Sequence, residues 1–309
     1  MNYYSNGKLL ITGEYLVLDG ATAFAVPTKF GQNLQVSKIK ESQIIWASFT
    51  NTGDCWFEAV FDLPKLRLVN CSFSSTKEGN AEFIAETLLE ILQAACKLNP
   101  KFLTEQSGFL VKTNLTFPRN WGLGSSSTLI NSIAAWAKVN AFTLLWNSFK
   151  GSGYDVACAQ NNSPIFYHIE NQKPIVNKVE FNPSFKENLF FVHLNKKQNS
   201  KEGIAKFREN KLNIESQIND VSAIARAFVN ATSITDLEIL IKQHEQIISS
   251  IIKWQPVKKE LFNDYFGEVK SLGAWGGDFV LATGNEDTTR YFKNKGYSTV
   301  LSYAEMVYQ

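Results

Sequence analysis

Three short stretches of the chain concentrate residue types suited to handling a phosphate group and a small hydroxylated partner. The first is FPRNWGLGSSSTLI, residues 117–130. Gly122 and Gly124 flank Leu123, and Ser125, Ser126, Ser127 and Thr128 follow directly before an apolar run. A helix that opens after such a turn presents unpaired N–H groups and partial positive charge, which attract phosphate. Glycine lets backbone amides approach the anion with no Cβ between them. A hydroxyl of Ser125, Ser126 or Ser127 could bond a phosphate oxygen or ligate Mg²⁺. No lysine follows the glycines, so this is not the P-loop pattern. The same residues also suit a serine N-cap on a buried helix.

The second stretch is GSGYDVA, residues 151–157. Asp155 lies just inside a glycine turn where a helix begins. It is either a helix cap or a carboxylate held beside a substrate, able to accept a proton or orient a hydroxyl. The third is KSLGAWGGDFVLA, residues 270–282, with Gly273, Gly276 and Gly277 around Trp275. It reads as a packed glycine turn or as a loop whose backbone passes close to a ligand.

Elements of alternating type must position these stretches. KLLITGEYLVLDG carries β-formers broken by Gly13 and closed by Asp19-Gly20. NLQVSKI, SQIIWASF and CWFEAVFDL alternate with period two, as half-buried antiparallel strands do. AEFIAETLLEILQAACKL has apolar residues three and four apart and stops at Asn99-Pro100, which predicts a helix. GFLVKTNLTF is a strand, and STLINSIAAWAKVNAF a largely buried helix, so the first stretch joins a strand to a helix start. A short helical pattern at FTLLWNSF precedes the second stretch, which opens another helix. SPIFYHIE, KPIVNKVEF and NLFFVHL are strands; a polar, charged run and long helical patterns to about residue 251 follow. The C-terminal part reads strand, helix, strand. The change of character places a soft domain boundary at residues 180–187.

The chain has 309 residues, enough for two domains or one large one, with 44% apolar and 19% charged residues. Its net charge is +2 with both signs interspersed, unlike the basic stripe of a nucleic-acid binder. No segment has the apolar length of a membrane span, and the N-terminus lacks the pattern of a signal peptide. Cys55, Cys71, Cys96 and Cys158 are spread without Cys-x-x-Cys spacing, and His168, His193 and His244 are equally scattered. These features predict reduced core thiols, no zinc site and a cytoplasmic location.

The order of the motifs resembles the GHMP kinases, the superfamily of galactose, homoserine, mevalonate and phosphomevalonate enzymes. GKLLITGEYLVLDG comes first, then PRNWGLGSSS, GSGYDVA and KSLGAWGGD. Pro118 through Ser126 match the Pro-x-x-x-Gly-Leu-Gly-Ser-Ser signature residue for residue. GEYLVLDG and GSGYDVA look most like the mevalonate and phosphomevalonate kinase branch, and GYDVA looks like a small bacterial subgroup.

The resemblance implies an α+β fold of two domains. Residues 1–183 would form an ATP-binding domain of the ribosomal-protein-S5 domain 2-like type, and residues 184–309 a ferredoxin-like domain. ATP would lie between them, its phosphates on Pro118, Gly122, Leu123, Gly124, Ser125, Ser126 and Ser127, with the Ser126 hydroxyl near Mg²⁺. By position, Lys8 matches the lysine facing the transferred phosphate or the substrate, and Asp155 the catalytic aspartate. Glu14 matches an acidic position that is structural or orients a lysine near the substrate. Gly273, Ala274, Gly276 and Gly277 match the loop packing by the phosphates and substrate, with Trp275 among them. The partner implied is a small anionic alcohol or phosphate of the mevalonate type; no nucleic acid or membrane is involved, and the protein is a monomer or homodimer.

Two positions depart from the pattern. Mevalonate kinases carry a glutamate shortly before the catalytic aspartate as a magnesium ligand, whereas FTLLWNSF has no carboxylate. Trp275 stands where the third motif has glycine. Its indole is expected to fill part of the acceptor pocket, the other reading being that it turns outward onto the neighbouring domain. Diphosphomevalonate decarboxylase chemistry, and a non-catalytic binding protein that keeps the fold, are the alternatives to a kinase.

Overall fold

The computed structural model describes residues 1–73, 80–104, 107–149, 151–197, 200–211 and 213–308. Two compact units interleave along the chain. The first comprises Met1–Gly7, Phe30–Arg119 and Leu123–Gln160; the second comprises Lys8–Lys29, Asn120–Gly122 and Asn161–Gln309. Where composition suggests one cut near residue 183, the units trade segments several times. Strands β1 (Asn2–Thr12) and β2 (Ala23–Ile39) contribute residues to both.

In the first unit, β3 (Gln43–Phe49), β4 (Cys55–Asp62) and β5 (Arg67–Phe73) form an antiparallel ladder. Strand β6 (Gly108–Leu115) runs parallel to β3 and antiparallel to the later part of β2, giving the order β5-β4-β3-β6-β2. Along β6, Phe109, Val111, Thr113 and Leu115 are buried while Lys112 and Asn114 are exposed, the period-two pattern of a one-sided sheet.

Helix α1 (Ala81–Leu98) starts at Asn80, whose side chain accepts from the Glu82 N–H, and ends before Pro100. Its buried stripe of Ala85, Leu88, Ile91, Leu92 and Ala95 follows the predicted spacing. It packs against α2 (Ser125–Ala137) and α3 (Ala141–Ser148), while α2 also meets α4 (Tyr154–Gln160). Trp136 of α2 is packed edge-on by Phe102 and Phe109 at 4.8 and 5.4 Å between ring centres.

In the second unit, Ala23–Ala25 of β2 pair with β7 (Ile165–Glu170), which pairs with β8 (Lys173–Lys178). A separate antiparallel sheet contains β9 (Leu189–His193), β10 (Val269–Ser271), β11 (Phe279–Thr283) and β12 (Val300–Ser302), in the order β10-β11-β9-β12. Between β9 and β10 come α5 (Ser200–Asn210), α6 (Glu215–Val229), α7 (Ile234–Ile252) and the short α8 (Val257–Leu261).

The strand pattern expected over EYLVLDG is not formed. Leu16–Asp19 make a single 3₁₀ turn, because Gly13 at φ 98° and Tyr15 at φ 62° bend the backbone out of extended conformation. Among the described residues, no helix is long and apolar enough to cross a membrane.

Candidate active site

Within the first unit, the serine-rich stretch forms the start of α2. The cap residue is Gly124 itself, at φ 89° and ψ 43°, which has no side chain to hydrogen-bond to the helix end. The serine-cap alternative is therefore not what the fold adopts. The left-handed backbone at Gly124 suits glycine, and the first N–H groups of this 13-residue helix receive no side-chain acceptor from their cap residue.

The serines divide by direction. Ser127 is buried and its hydroxyl donates to the Gly124 carbonyl at 2.8 Å, while Thr128 donates to Gln32 Oε1 at 2.7 Å. Ser125 is half-buried and Ser126 is exposed. The hydroxyl best suited to a ligand is thus Ser126, and Ser127 serves the turn. Leu123 is fully buried and anchors the loop, Pro118 is half-buried, and Arg119 stacks its guanidinium 3.7 Å above the Trp56 ring.

Asp155 occupies the first turn of α4 as a helical residue, half-buried, with the Val156 N–H donating to Oδ1 at 3.0 Å. It lies inside the helix and does not precede it as a cap would. Its negative charge at the positive end of a helix is favourable.

In the second unit, Lys8 on β1 donates from Nζ to the Gly122 carbonyl at 2.7 Å. Distant residues thus meet: the lysine of the first motif grips the backbone of the glycine loop. Gly122 has φ 66°, and a Cβ there would be driven into the Asp278 carboxylate. Asp278, itself at φ 52°, is held by its N–H to the Lys196 carbonyl at 2.7 Å and by its carbonyl accepting from Leu194 N–H at 2.8 Å. Composition and spacing gave no sign of Asp278; its only mark is an acidic residue placed directly after Gly276-Gly277. Gly122→Ala is expected to lower stability by about 1–2 kcal/mol from the left-handed backbone alone, with a further loss from the Asp278 clash. Denaturant midpoints check this, and an unchanged midpoint would remove the close approach as a constraint.

Glu14 orients a lysine, but the lysine is Lys270. Both are fully buried, and Nζ lies 2.8 Å from Glu14 Oε1. Burial alone would raise the Glu14 carboxyl, yet the Lys270 ammonium, the largest opposing influence, helps hold it below the ordinary carboxylate range. Lys270 is the last strand residue but one before the glycine loop of the third motif.

That loop places Gly273, Ala274 and Gly276 half-buried and turns Trp275 inward. Trp275 is 1% exposed, in an apolar cluster with Tyr15, Leu16, Phe207, Val221 and Ile248. In place of the expected wall of an acceptor pocket, the indole lies in the apolar core of its unit, against Tyr15, Leu16 and Ala21 among others. A large flat side chain gains most by full burial, and here that is achieved with a left-handed backbone at φ 52° and an indole N–H that has no acceptor. Trp275→Phe should therefore cost only about 1 kcal/mol, because lost packing is offset by removing an unsatisfied donor. A loss several times larger on thermal or denaturant unfolding would show that the indole N–H has an acceptor.

Among the described residues, no group of three or more His, Cys, Asp and Glu side chains is arranged to hold a metal ion. Helix α3, formed by AFTLLWNS, brings no carboxylate.

No protein-family model and no curated protein matches the sequence. The fold, in contrast, is shared with solved structures over essentially the whole chain. The chain is similar to the Methanococcus jannaschii mevalonate kinase, with a TM-score of 0.70 at 15% identity, covering 100% of this chain and 98% of that one. It is similar to the Streptococcus pneumoniae phosphomevalonate kinase in complex with phosphomevalonate and AMPPNP, with a TM-score of 0.70 at 14% identity, covering 98% and 99%. It also resembles the Lactococcus lactis galactokinase complexed with galactose, with a TM-score of 0.64 at 13% identity, covering 97% and 92%. The α+β architecture is the two-domain GHMP kinase fold.

Proposed function

We propose that the chain is a phosphotransferase that moves the γ-phosphoryl group of ATP to a small anionic alcohol or phosphate of the mevalonate or phosphomevalonate type. One observation carries this reading: a buried helix opens on a left-handed glycine with no side-chain cap, with an exposed Ser126 in its first turn. A helix end built this way is short of acceptors, and a phosphate supplies them. The shared fold with kinases, one of them solved with AMPPNP, supports the nucleotide.

Phosphoryl transfer depends on positioning and on stabilising charge. In this reading the amides at the start of α2 hold phosphate oxygens, and Lys8 supplies positive charge near the transferred group while fixing the Gly122 carbonyl. Asp155 orients the acceptor hydroxyl and takes its proton. Mg²⁺ enters with the nucleotide as part of the substrate, since such ions keep water and bind largely through phosphates. Ser126 is the protein hydroxyl suited to join it.

The test is ATP titration followed by ADP release across mevalonate, phosphomevalonate, homoserine and sugar acceptors. The expected result is saturable nucleotide binding with ADP formation on one acceptor class. Carbon dioxide appearing with ADP would assign decarboxylase chemistry instead. Failure of the folded protein to bind ATP would overturn the proposal.

A further inference from the structure

A second concentration of ionisable groups lies in the core of the second unit and has no part in phosphate binding. Glu14, His244 and Lys270 are 0% exposed and Glu245 is 4% exposed. The Lys270 ammonium donates to Glu14 Oε1 at 2.8 Å and to the Ser271 carbonyl at 3.0 Å, and lies 3.7 Å from Glu245 Oε1. Ser271 Oγ donates to Glu245 Oε2 at 2.8 Å. Among the described residues, three atoms of this group find no hydrogen-bond partner: Glu14 Oε2, His244 Nδ1 and Glu245 Oε1.

Geometry creates a shortage of protons. His244 Nε2 lies 3.1 Å from the Gly13 N–H, which donates to it, and 3.1 Å from Glu14 Oε2. One ring nitrogen cannot accept from the first and donate to the second. The charges do not balance either. With both carboxylates ionised and the imidazole neutral, two negative groups face one ammonium in a site sealed from water. An uncompensated buried charge is strongly unfavourable, and one added proton removes it. Glu14 keeps the short contact with Lys270, so the proton belongs on Glu245 Oε1, the more distant and unpartnered carboxylate oxygen.

We propose that Glu14, His244, Glu245 and Lys270 form a proton-binding site that acts as a positioning device, fixing the turn after β1 against the strand that leads into the glycine loop. The positioning half rests on the kinase reading above. The groups facing Glu245 come from two elements, Lys270 and Ser271 from β10 and Glu14 from the turn after β1, while His244, next to it on α7, faces Glu14. Helices α5 and α6 bring apolar Phe207 and Val221 to the cluster they share with α7. Burial pushes the Glu245 carboxyl up to about 7 against the pull of Lys270 and Ser271, and burial together with Lys270 pushes His244 below the usual imidazole range. When the proton leaves, the core holds a net negative charge, and the turn at Gly13–Tyr15 or β10 is what can shift to relieve it.

The experiment follows thermal midpoint, kcat and KM from about pH 5 to pH 9 in the wild type and in Glu245→Gln. Glutamine mimics the protonated carboxyl. The two proteins should match at the acid end, and the variant should unfold about 5 °C higher at the alkaline end. Parallel midpoint curves would overturn the proton site. Infrared difference spectra of the wild type give a second readout that needs neither variant nor turnover. A protonated-carboxyl band should vanish as pH rises through about 7, as expected for a buried acid, and its absence at acid pH would equally sink the site. In the kinetics, an acceptor KM that rises with the same titration in the wild type, and stays level in Glu245→Gln, supports positioning; superimposed profiles refute it. A stability titration with no ADP release from any acceptor leaves the proton site standing and defeats the kinase reading.

Discussion

Asp155→Asn is expected to lower turnover by about two to four orders of magnitude while ATP still binds, the range for loss of a general base. Asparagine keeps the size of the side chain and an oxygen that can accept from the Val156 N–H, as Asp155 Oδ1 now does at 3.0 Å. What it cannot do is take a proton or carry charge. The stability change should be small, about 0.3–1 kcal/mol, from losing a negative charge in the first turn of α4. Two measurements separate the roles: single-turnover ADP formation should collapse, and the ATP titration should stay near that of the wild type. A variant with full turnover would return Asp155 to a purely structural place at the start of α4.

The chemistry of that pair of helix starts was largely legible in the sequence, because it is local. Gly122, Gly124 and the four hydroxyls are contiguous, and the fold converts them into a helix opening with little help from elsewhere. Helix α1 was legible for the same reason: its apolar period and its stop at Asn99-Pro100 are contained in one segment. Strand β10 was not, since three residues are too few to show a period. Strand β5, RLVNCSF, shows no clear alternation over its whole length either and is held as an edge strand by its pairing to β4.

Contacts between distant segments account for what was missed. Glu14 and Lys270 are 256 residues apart, and nothing near either names the other. One signal was present. On α7 the buried residues run Leu237, Ile241, His244, Glu245, Ile248, Ile251 and Ile252, so a histidine and a glutamate occupy the face that period places inward. Polar residues on such a face demand partners, and Lys270 in a fully buried strand is their complement. Trp275 misled for a different reason. Glycine-rich flanks suggested an open wall, but the left-handed backbone at residue 275 swings the indole into the apolar cluster of its own unit.

Lys270→Met should lower stability by about 3–5 kcal/mol near neutral pH, the usual result of removing one partner from a buried ion pair. Methionine fills a similar volume, so packing is not the main loss. The damage comes from Glu14, left fully buried with Oε1 no longer paired and Oε2 already lacking a hydrogen bond. Adding Glu14→Gln to Lys270→Met should recover most of the loss, because no buried charge then remains at that position. The pH dependence has a definite sign. In the wild type the Glu14 carboxyl sits below its ordinary value, so its contribution is present above the ordinary carboxylate range and is lost as pH falls through the lowered value. Without Lys270, burial dominates and the carboxyl rises, so the folded state holds the proton more tightly than the unfolded chain. The deficit of Lys270→Met should therefore grow as pH rises above the carboxylate range and shrink in acid. Denaturant unfolding of wild type, single and double variants at two pH values reads this directly. A single variant within about 1 kcal/mol of wild type at neutral pH, the size of an exposed pair, would mean that water reaches Glu14. The sealed cluster, and the shortage of protons inferred from it, would then have no physical basis.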